Sequence, residues 1–370
     1  MARKNRIVVH DGVYHLTTRI ANREMLLRDD ALKSQIVDWM YGVADFSGVE
    51  PLAWCVMENH LHIVVRVPPV PERYWLDRDT EPNASHFTIR PSVCSVPRWY
   101  PDGVCPPDVD KPEPRPPIGF MLSDDEMIDR LVHLYGSKTA DDIAERWRTK
   151  RANGRGAEVD AEKERYCRRM YNVSQFAKTL KERIAMRYNA DKRNHHAGCL
   201  FQGRFHSVVV GRTAEDFGSV ASYVAVNPVK ARIVKGFAEW RWSSFSVACK
   251  GDSPRAERCR AAYAKMFGCD WQEAKARMEE LMSDRLPAGF DENSGSFSYD
   301  VIDENGEKRS VPLRATQVIW LKVKAFTQGG ILSRDPAYVE AVLATLPKGF
   351  NHERVWGDDF LSRLDWSRAA

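Results

Sequence analysis

The chain has 370 residues, 43% of them hydrophobic and 29% charged, with a formal net charge of +4. That length exceeds one typical domain and can bury a large core, while no apolar run reaches the length a bilayer-spanning helix needs. The eight cysteines are scattered without a CxxC pair, which points to reduced thiols in a cytoplasm and away from a disulfide frame or zinc knuckle. The basic opening Met1-Ala2-Arg3-Lys4-Asn5-Arg6 runs into a strand-like segment, not a signal-peptide core.

Gly12 to Arg19 is rich in β-formers and predicts a first strand. Leu32, Ile36, Trp39 and Met40 recur at helical spacing, so a helix is expected over 28–43, broken at Phe46-Ser47-Gly48. Leu52 to Met57 predicts a second strand, Glu58-Asn59 a tight connection, and His60 to Val67 a third strand stopped by Pro68-Pro69. From Pro68 to about residue 120 prolines are dense, and Pro112 to Pro117 suits extended polyproline. Ser123-Asp124-Asp125-Glu126 caps a helix through about Tyr135, a further helix spans 139–150, and Asn153-Gly154-Arg155-Gly156 is a turn. Asn172-Val173-Ser174 opens a helix with Phe176, Leu180, Ile184 and Tyr188 on one stripe. A strand over 207–210 follows, then a helix capped by Thr213 that carries Phe217, Val220, Tyr223, Val224 and Asn227 and closes at Pro228.

The order βαββ, insertion, αβα predicts an α+β fold: a ferredoxin-like antiparallel sheet with helices packed on one face. The catalytic core is expected over 1–67 plus 171–249, a Pro-rich and helical insertion over 68–170, and a separate, mainly helical C-terminal module over 250–370. Within that module, helices are expected over 256–283, 316–326 and 336–346, and a small hairpin around 297–301 between two turn signals.

Two features carry chemistry. His60 and His62 flank Leu61 on a strand, so both point to one face. Such a pair can ligate one divalent metal; it can equally be two half-buried histidines with hydrogen-bond partners. The second feature is a basic block: eleven Lys or Arg against three acidic residues between Lys163 and Arg204. That bias suits a polyanion partner, or a solvated helix face.

Tyr14-His15-Leu16-Thr17-Thr18-Arg19, Met57-Glu58-Asn59-His60-Leu61-His62, Phe201-Gln202-Gly203-Arg204-Phe205 and Tyr223-Val224-Ala225-Val226-Asn227-Pro228-Val229-Lys230-Ala231 occur in that order. Together they resemble the IS200-like single-tyrosine HUH transposases, and within them the REP-associated tyrosine transposase branch. The likeness covers roughly 6–67 and 171–245; Glu58 stands where the family often has Pro, and the insertion is longer than in compact members.

The resemblance implies metal-dependent cleavage and transfer of single-stranded, hairpin-bearing DNA. Tyr223 would be the nucleophile, forming a 5′-phosphotyrosine, and His60, His62 and Asn227 would hold Mg²⁺ or Mn²⁺. Lys178, Lys181, Arg187, Lys192, Arg193 and Arg204 are the candidate DNA contacts. His15 is assigned a structural role, and His195-His196 a phosphate contact. A cytoplasmic, nucleoid-associated protein follows, with no membrane partner and either a homodimer or a monomer compatible. The competing expectation is a domesticated, non-catalytic relative that binds DNA hairpins as a repressor or structural factor.

Overall fold

The computed structural model describes residues 7–75, 119–191, 198–283, 298–302, 308–312, 330–344, 346 and 355–356. Strand β1 (Gly12–Arg19) leads through α1 (Asp30–Ser47) into β2 (Glu50–Val56) and β3 (His60–Val67). Asp29 caps α1 by accepting from the Leu32 N–H at 2.7 Å, and Gly48 ends it in the left-handed region at φ 71°. A Cβ at Gly48 would lie 2.6 Å from the Tyr171 ring, so only glycine allows this exit. The insertion's helices are α2 (Asp124–Tyr135), α3 (Ser137–Ala152) and α4 (Gly156–Cys167). After them come α5 (Val173–Ala190), β4 (His206–Val210), α6 (Ala214–Ala225) and the single turn α7 (Asn227–Lys230). The remainder holds α8 (Ser244–Lys250), α9 (Pro254–Phe267), α10 (Trp271–Ser283), β5 (Ser298–Ile302), β6 (Lys308–Pro312), β7 (Gly330–Leu332), α11 (Pro336–Leu343) and β8 (Val355–Trp356).

The main sheet runs β2-β3-β1-β4-β7-β8. Its first four strands are antiparallel in the ferredoxin-like order expected from βαββ…β. The last two strands are an addition: β7 pairs in parallel with β4, and β8 with β7. The stretch 250–370, expected as a mainly helical module, thus contributes two strands to the core sheet. Its helices also share the core. Phe267 of α9 meets Phe217 of α6 with centroids 5.5 Å apart, and the Tyr263 and Ser244 hydroxyls lie 2.9 Å apart. The predicted hairpin is present as β5 paired antiparallel with β6, so it extends beyond 297–301 to Pro312.

Helices cover both faces of the sheet, not one. Leu16, Leu61 and Ile63 meet the predicted α5 stripe of Phe176, Leu180 and Ile184. The opposite face, carrying His15 and His62, meets Tyr223 of α6. The run Leu61–Val65 is buried at every position, as a strand covered on both sides must be.

Helix α4 has no counterpart among the expected elements; its apolar positions Val159 and Cys167 are too sparse to give a clear stripe. The capping box at Ser123 and Glu126 forms as predicted. Trp75 and Phe120 pair across the ends of the Pro-rich stretch, and the Met121 N–H donates to the Tyr74 carbonyl at 2.8 Å. The polyproline and 316–326 expectations lie outside the described residues. Among the described residues no helix is long and apolar enough to cross a membrane.

Candidate active site

The β1–β3 register places His60 opposite Arg19, His62 opposite Thr17 and Val64 opposite His15. Side chains two apart share a face, so His15, Thr17, Arg19, His60 and His62 all belong to one side of the sheet. The rings of His60 and His62 are 4.8 Å apart, and that of His62 lies 5.2 Å from His15. His62 and His15 are 3% and 1% exposed.

Each predicted ligand has one ring nitrogen engaged. His60 Nδ1 lies 2.6 Å from Asn59 Oδ1. The amide is oriented by its own nitrogen, which donates to the Arg23 carbonyl at 3.2 Å. Asn59 Oδ1 can only accept, so His60 carries its proton on Nδ1 and a lone pair on Nε2. His62 Nδ1 lies 3.0 Å from His15 Nε2. A proton on His62 Nδ1 would leave its Nε2 in the same ligand-ready form, the usual arrangement behind a metal-binding imidazole. Burial, then the Arg19 charge, lowers the His60 pKa to about 4. Burial also holds His62 well below its ordinary range, with further contributions from His60, His15 and Arg19. Both rings are therefore neutral near pH 7.

Helix α6 brings Tyr223 to this face. Thr213 caps the helix as predicted, accepting from the Asp216 N–H at 3.1 Å. The Tyr223 ring is 6% exposed and lies 5.5 Å from His62 and 5.9 Å from His15, edge to face with both. Lys230 Nζ sits 5.6 Å from the Tyr223 ring centroid. The helix does not run through to Asn227: α6 stops at Ala225, and Pro228 sits in the new turn α7. Asn227 nevertheless stays one turn below Tyr223, because its amide nitrogen donates to the Tyr223 carbonyl at 2.7 Å. That bond uses the amide nitrogen at the helix end and leaves Oδ1 as the amide's acceptor atom.

The DNA candidates separate. Lys178 and Arg187 line a groove of about 730 Å³ along α5, with Arg169, Arg183, Trp39 and Tyr135. Lys178 is 64% exposed and only loosely paired, 3.8 Å from Glu182; Arg187 is 48% exposed and 4.0 Å from Asp191. Lys181 has a different job: its Nζ donates to the Gly203 carbonyl at 2.6 Å and lies 4.8 Å over the Phe201 ring. It fastens the Phe201–Arg204 turn to α5. Arg204 is exposed on that turn, and Lys192, Arg193 and His195-His196 lie outside the described residues.

Sequence reasoning misses two supports of the histidine pair, His15 and Asn59. The sequence assigns His15 a structural role, and the structure gives that role a partner: its ring nitrogen faces His62 directly. The alternation of β1 carries the signal, once β1 is paired with β3 in the right register. Among the described residues no three His, Cys, Asp or Glu side chains group in a way that could hold a metal. A metal held here would need the two histidines together with an amide oxygen.

No curated protein matches the chain. One solved structure resembles it: a REP-associated tyrosine transposase bound to a REP hairpin, 15% identical, with a TM-score of 0.34 over 69% of this chain and 90% of that one. Residues 8–72, which contain β1 to β3 with His15, Asn59, His60 and His62, match the family model described as IS200-like transposase, so this segment is similar to the IS200-like transposases.

Proposed function

We propose that the protein cleaves and rejoins single-stranded, hairpin-bearing DNA through a tyrosine-linked intermediate. The observation that carries this is the Tyr223 ring packed against His62, with Asn227 bonded one turn below it. Tyr223 Oη would attack the scissile phosphorus while the bond to the 3′ oxygen breaks, leaving a 5′-phosphotyrosine and a free 3′-OH. The covalent link conserves the phosphodiester's energy for rejoining, so no nucleotide cofactor is needed.

The donor set fits a divalent cation. Two neutral imidazoles, His60 and His62, and the Asn227 amide oxygen would hold it without neutralising its charge. Mn²⁺ accepts imidazole better than Mg²⁺ does, and both tolerate this set. When bound, such an ion polarises the phosphodiester toward attack. Asn59 and His15 orient the two ligand rings, and α6 holds the phenol against them. The α5 groove supplies an exposed cationic surface for the phosphates of a hairpin stem.

The test is incubation of labelled hairpin DNA from the gene's own flanks with Mn²⁺. A covalent protein–DNA product is expected, absent in Tyr223→Phe while hairpin affinity stays within about threefold. An adduct persisting in that variant would remove Tyr223 as nucleophile. Tight hairpin binding with no cleavage in Mn²⁺ or Mg²⁺ would instead make the protein a non-catalytic hairpin binder.

A further inference from the structure

Arg19 ends β1 directly opposite His60, on the sheet face that carries His15, His60 and His62. Its side chain is exposed, and among the described residues no hydrogen bond or ion pair engages it. Its backbone is held on two sides. The Arg19 carbonyl accepts from the Gln202 N–H at 2.8 Å, and the next residue, Ile20, donates its N–H to the Asn59 carbonyl at 2.8 Å. Asn59 is also the residue that orients His60. A long cationic side chain thus starts from a rigid point beside the metal-ligand candidates. Its charge is felt by both rings, opposing protonation of His60 and His62.

An unpaired guanidinium in that position has an evident use. We infer that Arg19 is a catalytic residue that grips the non-bridging oxygens of the scissile phosphate beside His60. This rests on the strand-transfer function proposed above. As Tyr223 Oη bonds to phosphorus and the phosphorus–O3′ bond breaks, the phenol gives its proton to solvent and the leaving 3′ oxygen takes one up. Between these events the non-bridging oxygens carry their greatest charge. A planar guanidinium can donate two parallel N–H bonds to them, which an ammonium cannot reproduce. Its effect belongs to the transition state more than to the bound ground state.

The experiment compares wild type, Arg19→Gln and Arg19→Lys in single-turnover cleavage of one hairpin substrate with Mn²⁺, alongside hairpin affinity at fixed salt. The Gln variant is expected to cleave about 10²–10³-fold more slowly, with affinity within about threefold. The Lys variant should fall between the two, since it keeps the charge and loses the fork. Unchanged thermal midpoints would show that the fold is intact. The inference is overturned if Arg19→Gln cleaves within about threefold of wild type, or if its loss of affinity accounts for the whole loss of rate. Failure of wild type itself to form any adduct would overturn the strand-transfer function instead.

Discussion

On one side of the sheet, His15, His62 and Tyr223 are 1%, 3% and 6% exposed and touch one another ring to ring. On the other, α5 packs its apolar stripe on Leu16 and Leu61 and turns Lys178 and Arg187 outward, 64% and 48% exposed. The histidine–tyrosine cluster is dry and neutral, with the exposed Arg19 at its margin, while the α5 surface is wet and cationic. Burial makes interactions strong and geometry fixed, which suits bond-making. Exposure lets cations follow phosphates with little cost of desolvation, and it makes their attraction salt-dependent. The division of labour this suggests can be broken by variants confined to one face.

The largest effect is expected from the histidine pair. His62→Ala should lower Mn²⁺-dependent cleavage by about 10²–10³-fold, the several kcal/mol that a bound cation contributes to such a transition state. Hairpin affinity, measured without metal, should hardly move. A parallel collapse of binding would mean that the histidine face also holds the DNA. Next in size is His15→Ala, which removes the partner of His62 Nδ1. Loss of an outer-shell partner costs about 10–100-fold in metal affinity or activity. The readout is the Mn²⁺ concentration for half-maximal cleavage, which should rise; an unchanged value would return His15 to a purely structural role.

Third comes the other face. Lys178→Ala with Arg187→Ala should weaken hairpin binding while leaving cleavage at saturating DNA near wild type. The slope of log affinity against log salt should shrink by about 0.7–0.9 for each phosphate no longer neutralised. An unchanged slope would show that these two cations do not face DNA. Lys181 should behave differently from both, because it is bonded to Gly203 and covers Phe201. Its removal loosens the turn carrying Arg204 before it alters any direct contact.

Much of the histidine face can be read from the residues alone. Strand β3 begins and ends where the pattern places it, and period-two alternation puts His60 and His62 together without further help. The His15–His62 bond cannot be read so, because it depends on how β1 slides against β3, and alternation alone is unchanged by a two-residue slip. Strands β7 and β8 are three and two residues long, too short to show any period, and the pairing of β7 with β4 joins distant parts of the chain. On α5 the cations are legible as a block, but not which of them is occupied. Lys178 and Lys181 are three residues apart on the same helix; only packing shows that one faces open water and the other a carbonyl.

The smallest effect tests whether the insertion supports only the wet face. Asp124 accepts from Arg151 and, at 2.7 Å, from Lys163, whose side chain is 4% exposed. This knot ties α2 to α3 and α4, and the same helical layer brings Tyr135 and leads to Arg169 on the groove. The Arg151 hydrogen bond, with Lys163 adding to it, lowers the Asp124 pKa to about 2. A carboxylate depressed in the fold stabilises it above its unfolded value near 4 and loses that contribution as pH falls toward 2. Asp124→Asn should therefore destabilise the protein at pH 7 by about 1–3 kcal/mol, less than a fully buried pair because Asp124 is partly exposed. The same variant should lose part of the wild type's drop in stability between pH 4 and 2, measured as urea midpoints. Hairpin affinity should fall modestly as the groove loosens, while cleavage per bound complex holds. A loss of cleavage rate at saturating DNA would instead show that strain in the insertion crosses the sheet to the histidine face.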